Sequence, residues 1–281
     1  MAAGLVLSFN TGLAQFHAAT ESFISANGLD TLLCDIYLPE NPSPAGWGIV
    51  FLHGGGFSGG QRDDTVNRTY CTKMAKRGVA VASIDYRLRQ VGQGFHCDVD
   101  IEAKREAIRW AAEDLGAAIE TLKHRFPGGI IACGSSAGAE AVLDAAFNLK
   151  LPKLRGVISL AGAIEPRAEW ADVPVLAFHG TCDALVPFCT AVHHYCPEDS
   201  PGALVLAGGG ALAQLHDQVS LLAYDNAGHE LASTLLSNPL FIERNIQFIQ
   251  AIAQGTFEPE HLTIPLYRPC ALPQSAPVPC N

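Results

Sequence analysis

Short runs of apolar residues alternate along the chain with longer segments whose apolar residues recur every three or four positions. The unbroken β-branched run at 79–84 is typical of a strand buried on both faces. Ile108, Ala112 and Leu115 follow helical spacing. On these criteria we predict strands at 21–26, 31–38, 47–52, 79–84, 129–133, 157–160, 173–178 and 219–224, and helices at 65–77, 101–126, 137–147 and 241–253. The alternation predicts an α/β fold with a mostly parallel sheet and helices on both faces.

Two further sequence signals indicate a hairpin near the start of the chain and an irregular segment at its end. Asn27-Gly28, between the first two predicted strands, is typical of a two-residue hairpin turn. The last 26 residues hold six prolines and two cysteines, which excludes a helix or a central strand there. We therefore expect one α/β domain over residues 1–255 and a Pro-rich tail over 256–281 that either crosses the surface or stays mobile.

Composition and charge exclude several classes of protein. With 48% hydrophobic and 16% charged residues, the chain is globular in composition. Its net charge of −10 disfavours a nucleic-acid partner. No run reaches the roughly 18 apolar residues that a membrane span needs, so we expect no membrane span. Residues 1–15 resemble the remnant of a signal peptide, which favours a secreted or periplasmic protein over a cytoplasmic one.

The nine cysteines leave at least one thiol unpaired within the monomer. Cys34 and Cys133 lie in apolar strands and are predicted to be buried free thiols. The remaining candidates for disulfides lie in loops or at helix edges, and spacing does not fix their connectivity. The pairs considered are Cys71/Cys97, Cys189/Cys196 and Cys270/Cys280. No Cys-x-x-Cys pair occurs, so a structural zinc site has no support. We expect neither a metal nor a cofactor.

Gly134-Ser135-Ser136-Ala137-Gly138 forms a G-x-S-x-G pattern between a predicted strand and a predicted helix. Small residues on both sides of the central serine permit a sharp, strained turn that lifts its hydroxyl out of the sheet. Ser136 is therefore the candidate nucleophile, and Ser135 is the competing one. The helix that follows points its free amides at the serine, so the Ala137 N–H can donate to an oxyanion.

A glycine loop, His53-Gly54-Gly55-Gly56, follows the strand at 47–52. Consecutive glycines leave backbone N–H groups uncovered, which suits a developing negative charge on a substrate oxygen. A flexible turn or a phosphate cradle are the alternatives. The Lys-Ser/Thr of a P-loop and the acidic residue of a dinucleotide fingerprint are both missing at the required spacing.

An acid and a base are predicted after two later strands. Asp183 follows the strand at 173–178, and His229 follows the final strand, where a general base is needed. Asp172 precedes its strand and so lies at the wrong edge of the sheet. Asp225 stands only four residues before His229, which makes the geometry awkward.

The order serine, acid, histidine resembles that of the α/β-hydrolases. Together with the glycine loop and Asp85-Tyr86-Arg87-Leu88, it is similar to the esterase/lipase group with an HGGG loop, which includes hormone-sensitive-lipase-like, feruloyl and acetyl-xylan esterases. This resemblance implies an eight-stranded α/β-hydrolase fold. It also implies a triad of Ser136, Asp183 and His229, and it implies that Asp85 and Arg87 are structural. The oxyanion hole it implies comprises the amides of Gly55, Gly56 and Ala137.

Only 47 residues separate Ser136 from Asp183, which leaves about a dozen for a lid at 161–172. We therefore expect little or no cap and an open site, walled by Phe57 and Trp170. The segment 186–218 is the other candidate wall. The expected function is hydrolysis of small-molecule carboxylic esters through an acyl-enzyme. An amide-cleaving serine hydrolase and a non-catalytic binding protein on the same fold are the alternatives.

Overall fold

The computed structural model describes residues 16–42, 46–167 and 169–270, together with residues 272 and 280. Its strands are β1 (Phe16–Ile24), β2 (Thr31–Pro39), β3 (Trp47–Leu52), β4 (Ala80–Ile84), β5 (Gly129–Ser135), β6 (Leu154–Leu160), β7 (Ala163–Ile164), β8 (Val175–Gly180), β9 (Thr190–Val192), β10 (Val205–Gly208), β11 (Val219–Asp225) and β12 (His261–Pro265). Its α-helices are α1 (Thr65–Lys76), α2 (Ile101–Leu122), α3 (Ala137–Phe147), α4 (Gly209–Leu215), α5 (Leu231–Thr234) and α6 (Pro239–Gln254). Short 3-10 turns lie at Lys123–Arg125, His193–Tyr195 and Leu235–Ser237.

In the described part of the chain, nine strands form the main sheet in the order β1-β2-β4-β3-β5-β6-β8-β11-β12. The pairs β1–β2 and β2–β4 are antiparallel, and all later neighbours are parallel. This confirms the predicted α/β-hydrolase architecture with one strand more than the eight expected. The ninth strand, β12, lies in the Pro-rich tail and pairs with the edge of β11.

Two local features differ from the sequence prediction. The β1–β2 hairpin does not turn at Asn27-Gly28 alone, because Ile24 pairs with Thr31 and residues 25–30 form the connection. The Ser25 N–H donates to the Asp30 carbonyl oxygen at 2.9 Å and closes this longer loop. A second sheet, in the order β7-β10-β9, was not predicted, because strands of two to four residues are too short to show a period.

Helices cover both faces of the main sheet. Alternate residues of each strand point to opposite sides, so the apolar side chains of one strand pack in two separate layers. Ile49 and Phe51 of β3 pack in the layer that contains α1 and α6. Val50 and Leu52 of the same strand pack in the layer that contains α2 and α3. The central strands β3, β4 and β5 are therefore largely apolar on both faces, as the sequence indicated, and the carboxyl ends of the parallel strands are left for the functional loops.

Three disulfides cross-link the loops at this end of the molecule: Cys97–Cys196, Cys182–Cys270 and Cys189–Cys280. Cys34 and Cys133 are buried free thiols as predicted, but all three candidate pairings were wrong. Cys71 is buried on the inner face of α1 and is also a free thiol.

Cys189 precedes β9 in the sequence and Cys196 follows it, and each forms a disulfide with a distant segment of the chain. Two of the disulfides thus hold the tail, through Cys270 and Cys280, against the loops that follow β8. Residues 1–15, where a signal-peptide remnant was expected, lie outside the described residues. No helix in the described ranges is long and apolar enough to cross a membrane.

Candidate active site

The predicted serine, acid and histidine meet at the carboxyl edge of the main sheet. Ser136 follows β5, Asp183 follows β8 and His229 follows β11. The Ser136 Oγ lies 2.8 Å from His229 Nε2, and His229 Nδ1 lies 2.7 Å from Asp183 Oδ2. An ionised Asp183 accepts a hydrogen bond from the Nδ1–H group of His229. This bond fixes the tautomer whose Nε2 lone pair accepts a hydrogen bond from the serine O–H.

The turn that carries Ser136 is strained and tightly packed. Ser136 has φ +53° and ψ −120°, a left-handed backbone conformation that a residue with a side chain rarely adopts. A methyl group on Gly134 would lie 2.2 Å from the Gly138 carbonyl oxygen. A methyl group on Gly138 would lie 2.2 Å from the Leu52 carbonyl oxygen. The two glycines of the pattern are therefore required by close backbone contacts, and these contacts hold the serine in its strained conformation.

Gly138→Ala is expected to lower the free energy of unfolding by about 3 kcal/mol, because backbone atoms cannot move away from the added methyl group without shifting β3. Urea unfolding followed by circular dichroism measures this change. The matched control is Gly59→Ala, three residues after the glycine loop, where a methyl group would meet no atom within 4 Å. We expect that control to change the unfolding free energy by less than about 1 kcal/mol. Equal effects of the two substitutions would contradict the packing argument.

Asp183 is fully buried, and each of its oxygens accepts hydrogen bonds. Oδ1 accepts from the backbone N–H groups of Leu185 and Val186, both at 2.9 Å, and Oδ2 accepts from His229. His179 Nε2 lies 3.5 Å from Oδ2. Burial alone would raise the pKa of Asp183, but the His179 and His229 rings beside it hold this pKa well below its usual range. Asp183 therefore stays ionised while it orients the imidazole.

His179 supports the acid rather than the nucleophile. Its Nδ1 accepts the Gly209 backbone N–H at 3.0 Å, so the proton of the neutral ring lies on Nε2. That N–H donates to the Val186 carbonyl oxygen at 3.0 Å and faces Asp183. His179 thus holds the loop that carries Asp183 in place.

The glycine loop lies directly against the nucleophile turn. A methyl group on Gly54 would lie 3.2 Å from the Ser136 Cβ. Gly55 and Gly56 have φ values of +125° and +60°, and both line the same cavity as Ser136 and Ala137. Among the described residues, none accepts a hydrogen bond from the Gly55, Gly56 or Ala137 amides. These three N–H groups are thus available to a substrate oxygen.

Side chains behind the glycine loop fix its position. The Tyr86 hydroxyl donates to the His53 carbonyl oxygen at 2.8 Å, and the two rings stack with centroids 4.4 Å apart. Asp85 accepts two hydrogen bonds from Arg62, at 2.9 Å and 2.8 Å. Arg87 donates through Nε to the buried carboxylate of Asp114. Asp85 and Arg87 thus make structural contacts beside the loop.

A cavity of about 720 Å³ opens over the nucleophile. Leu185, Val186, His193 and His194 form one wall, so the segment 186–218 contributes to it, whereas described residues 161–172 contribute nothing. Phe57 lines the cavity, but its side chain is otherwise buried against Tyr86 and Phe95.

Trp170 does not line the cavity with Ser136, although it was expected to wall the site. Its ring packs edge-on to Phe147 and stacks on His216. Phe147 is the last residue of α3, whereas Ser136 immediately precedes this helix. At 1.5 Å per residue, the helix places the two ends about 16 Å apart. Trp170 therefore packs against the hydrophobic core and does not line the candidate active site.

Sequence reasoning missed two polar residues of the cavity wall, Glu140 and His193. Both side chains are buried, and His193 Nε2 lies 3.5 Å from Glu140 Oε1. Burial raises the pKa of Glu140 to about 8, an effect that the charge of Lys104 only partly offsets. Burial also lowers the pKa of His193 well below its usual value. A carboxyl one helical turn after the nucleophile, in an otherwise apolar stretch of α3, was the available signal.

Glu140→Gln is expected to raise the unfolding free energy more at pH 8 than at pH 5. The pKa of Glu140 is higher in the folded protein than in the unfolded chain, so the folded state binds more protons between these two values. Stability therefore falls as the pH rises through this window. Glutamine does not titrate, so the variant does not lose stability in this way as the pH rises. Denaturant unfolding of both proteins at the two pH values measures the difference, and an equal effect at both would contradict the buried neutral carboxyl.

Within the described residues, no group of three or more His, Cys, Asp and Glu side chains is arranged to hold a metal ion. The arrangement can activate a hydroxyl nucleophile, stabilise an oxyanion and return a proton to a leaving group.

The described residues adopt the α/β-hydrolase fold, and Ser136, His229 and Asp183 form a hydrogen-bonded chain at the carboxyl edge of its main sheet. Residues 34–158 match the model of the BD-FAE family. No curated protein sequence matches the chain. The structure is similar to brefeldin A esterase, a bacterial homologue of human hormone-sensitive lipase, with TM-score 0.58, 17% identity, and coverage of 90% of this chain and 80% of that one.

It is also similar to Thermogutta terrifontis esterase 2 phosphoramylated by tabun, with TM-score 0.58, 20% identity, and coverage of 86% of this chain and 97% of that one. An α-beta serine hydrolase homologue from Coxiella burnetii gives TM-score 0.54 and 19% identity, with coverage of 80% and 96%. The chain thus has the α/β-hydrolase fold that these structures share.

Proposed function

We propose that the protein hydrolyses small-molecule carboxylic esters through a covalent acyl-enzyme on Ser136. His229 Nε2 accepts the Ser136 proton as the Oγ attacks the ester carbonyl carbon. The ester C–O bond then breaks, and the His229 proton goes to the leaving alcohol. Water enters, gives a proton to His229 and attacks the acyl carbon, which releases the acid and restores the serine hydroxyl.

The amides of Gly55, Gly56 and Ala137 supply the oxyanion hole in this proposal. The carbonyl oxygen gains negative charge as the tetrahedral intermediate forms, and three uncovered N–H groups stabilise that charge more than they stabilise the neutral ester. Asp183 stays ionised because His229 hydrogen-bonds to it and the His179 ring lies beside it, and so it stabilises the imidazolium that forms at His229.

One observation carries the proposal: the two hydrogen bonds of 2.8 Å and 2.7 Å that join Ser136, His229 and Asp183 in a continuous chain. The similar structures named as esterases support the choice of an ester over another acyl compound. The strained conformation of Ser136 supports the choice of nucleophile, since such strain concentrates at functional sites.

A common acyl-enzyme can be tested by partitioning. Phenyl acetate and p-nitrophenyl acetate are hydrolysed in buffer that contains methanol, and the ratio of methyl acetate to acetate is measured for each. We expect the same ratio from both esters, because both pass through the same acetyl-Ser136. A ratio that depends on the leaving group would contradict the intermediate. Hydrolysis of p-nitroacetanilide as fast as p-nitrophenyl acetate would favour an amidase.

The proposed location is an oxidising compartment outside the cytoplasm. Three disulfides are formed, and such bonds persist mainly in exported proteins. Thiol titration of the denatured protein, purified from its natural host without reductant, tests this location. We expect three titratable thiols, those of Cys34, Cys71 and Cys133. Nine thiols would contradict it.

A further inference from the structure

The wall of the catalytic cavity contains a carboxyl group that the proposed reaction does not use. Glu140 lies one helical turn beyond Ser136, and its backbone N–H donates to the Ser136 carbonyl oxygen at 3.0 Å. Residues four positions apart lie on the same side of a helix. The side chain of Glu140 lines the cavity together with Ser136, although only 2% of the residue is exposed.

Glu140 Oε1 accepts no hydrogen bond from any described residue. His193 Nε2 lies 3.5 Å from it, which is longer than a good hydrogen bond. Lys104 is buried nearby, but its Nζ donates to the Gly202 carbonyl oxygen at 2.7 Å instead. Native proteins pair nearly all buried polar atoms, and an unpaired one at a cavity wall is available to a ligand.

His193 is the second such group on the same wall. It is 3% exposed, and its Nδ1 has no hydrogen-bond partner among the described residues. Its ring is held edge-on to Phe95 and stacks on His194, with centroids 5.1 Å and 4.3 Å apart. Its backbone N–H donates to the Leu204 carbonyl oxygen at 2.8 Å. The ring is therefore held in place beside Glu140 rather than free to find another partner.

The disulfide Cys97–Cys196 adds a covalent restraint three residues after His193. It ties the His193 segment to the loop that carries Phe95, so the wall is held from two sides. Two buried polar groups that are both unpaired and both fixed make a preorganised site, because little ordering is left to occur when a ligand binds.

The protonation states of Glu140 and His193 determine which kind of substrate group can hydrogen-bond to both. Burial holds the pKa of Glu140 near 8 and that of His193 well below its ordinary value, so both are neutral at pH 7. A neutral carboxyl offers one O–H donor and a carbonyl acceptor, and a neutral imidazole offers one of each. A hydroxyl both donates and accepts, and so it matches this pair. A carboxylate only accepts and an ammonium only donates, and either would also bring a charge into a buried wall.

We propose that Glu140 and His193 form a subsite that hydrogen-bonds a hydroxyl group of the ester substrate, so that hydroxylated esters are preferred over esters with a methyl group in the same position. This inference rests on the proposed ester hydrolysis and names the chemistry of its substrate. The hydroxyl belongs either to the acyl part or to the alcohol part, since both occupy the cavity during the reaction.

Two pairs of esters, matched in size, test the subsite. In the acyl arm, p-nitrophenyl 3-hydroxybutanoate is compared with p-nitrophenyl 3-methylbutanoate. In the alcohol arm, 4-hydroxybutyl acetate is compared with pentyl acetate. We expect the hydroxylated ester to have the higher kcat/KM in one arm, by about tenfold to a hundredfold, because the methyl analogue leaves the buried polar pair unsatisfied. The arm that shows the preference identifies which part of the substrate carries the hydroxyl.

Variants of Glu140 test whether its side chain recognises the hydroxyl group of the substrate. Glu140→Leu is expected to lower the hydroxyl-to-methyl ratio of kcat/KM by about tenfold or more, because a leucine cannot hydrogen-bond. Glu140→Gln is expected to keep most of the ratio, because its amide both donates and accepts. Ser233→Ala is the control, since Ser233 lines the same cavity but is exposed and already donates to the Glu230 carbonyl oxygen. It should leave the ratio as it is in the wild type.

The outcomes distinguish this inference from the proposed function. Rapid hydrolysis of the methyl-bearing esters with a ratio near one in both arms would overturn the subsite and leave ester hydrolysis standing. A ratio that Glu140→Leu does not change would overturn it as well. A stronger preference for p-nitrophenyl 3-aminobutanoate would contradict the neutral pair. Failure to cleave any of these esters would overturn both proposals.

Discussion

Ser136→Ala is expected to lower kcat for p-nitrophenyl acetate by about 10⁶, the largest effect of any single substitution in this chain. The alanine removes the only atom that can bond to the acyl carbon while it leaves His229, Asp183 and the oxyanion amides in place. The residual rate then comes from oxyanion stabilisation and substrate positioning alone. Initial rates at saturating ester, for wild type and variant purified in parallel, measure the loss.

The matched control is Ser135→Ala, one residue earlier in the same turn. Ser135 is buried, and its hydroxyl donates to the Ala232 carbonyl oxygen rather than to His229. We expect this variant to lose about 1 kcal/mol of stability and less than tenfold in kcat. The reverse order of effects would make Ser135 the nucleophile and would overturn the assignment.

Asp183→Asn is expected to lower kcat by about 10⁴. The amide oxygen can still accept the Leu185 and Val186 N–H groups, so the loop keeps its shape. The amide NH₂ then faces His229 Nδ1, which turns the imidazole into the tautomer whose Nε2 carries a proton. An Nε2 that is already protonated cannot accept the serine proton. Steady-state rates at pH 7 to 8 measure this loss.

Asp225→Asn is the control for the acid, because Asp225 ends β11 close to His229 in the sequence. Its carboxylate accepts from the Thr181 hydroxyl at 3.2 Å and from the Asn226 side chain at 3.2 Å, and it makes no hydrogen bond to His229. We expect less than a tenfold change in kcat. A larger loss in Asp225→Asn than in Asp183→Asn would show that the acid is misassigned.

The convergence of Ser136, Asp183 and His229 was predictable because each residue follows a strand that its own sequence makes evident. Ser136, Asp183 and His229 are distant in sequence, but they follow β5, β8 and β11, which run parallel and end at one edge. Parallel topology therefore converts three local patterns into one site. The glycines around Ser136 were predictable for a related reason, since a strained strand-to-helix turn admits only small neighbours.

The disulfides and the tail strand could not be predicted in the same way. Cys182 and Cys270 are 88 residues apart, and their pairing depends on how the tail crosses the sheet edge. The strand β12 is only five residues long, ends in Pro265 and pairs along one side, so its sequence carries little period. Such features follow from tertiary packing, which no local pattern records.

The polar wall of the cavity was missed for a different reason. Glu140 lies in a wholly buried helix that also contains Asp144, and the sequence of this helix does not indicate what faces either carboxyl group. His193 and His194 are adjacent, and their position in the sequence does not indicate what either ring contacts. Only the fold brings His193 from the loop after β9 to the helix after β5, and the chemistry of the pair arises from that contact and from burial.

Covalent labelling with a fluorophosphonate tests the central claim most directly, because such a reagent phosphonylates only an activated serine. The modified protein is digested, and the adduct is located by fragmentation mass spectrometry, which separates Ser135 from Ser136. We predict one adduct per chain, on Ser136, which is absent in Ser136→Ala and strongly slowed in Asp183→Asn. An unlabelled wild-type protein, or an adduct on any other residue, would contradict the account.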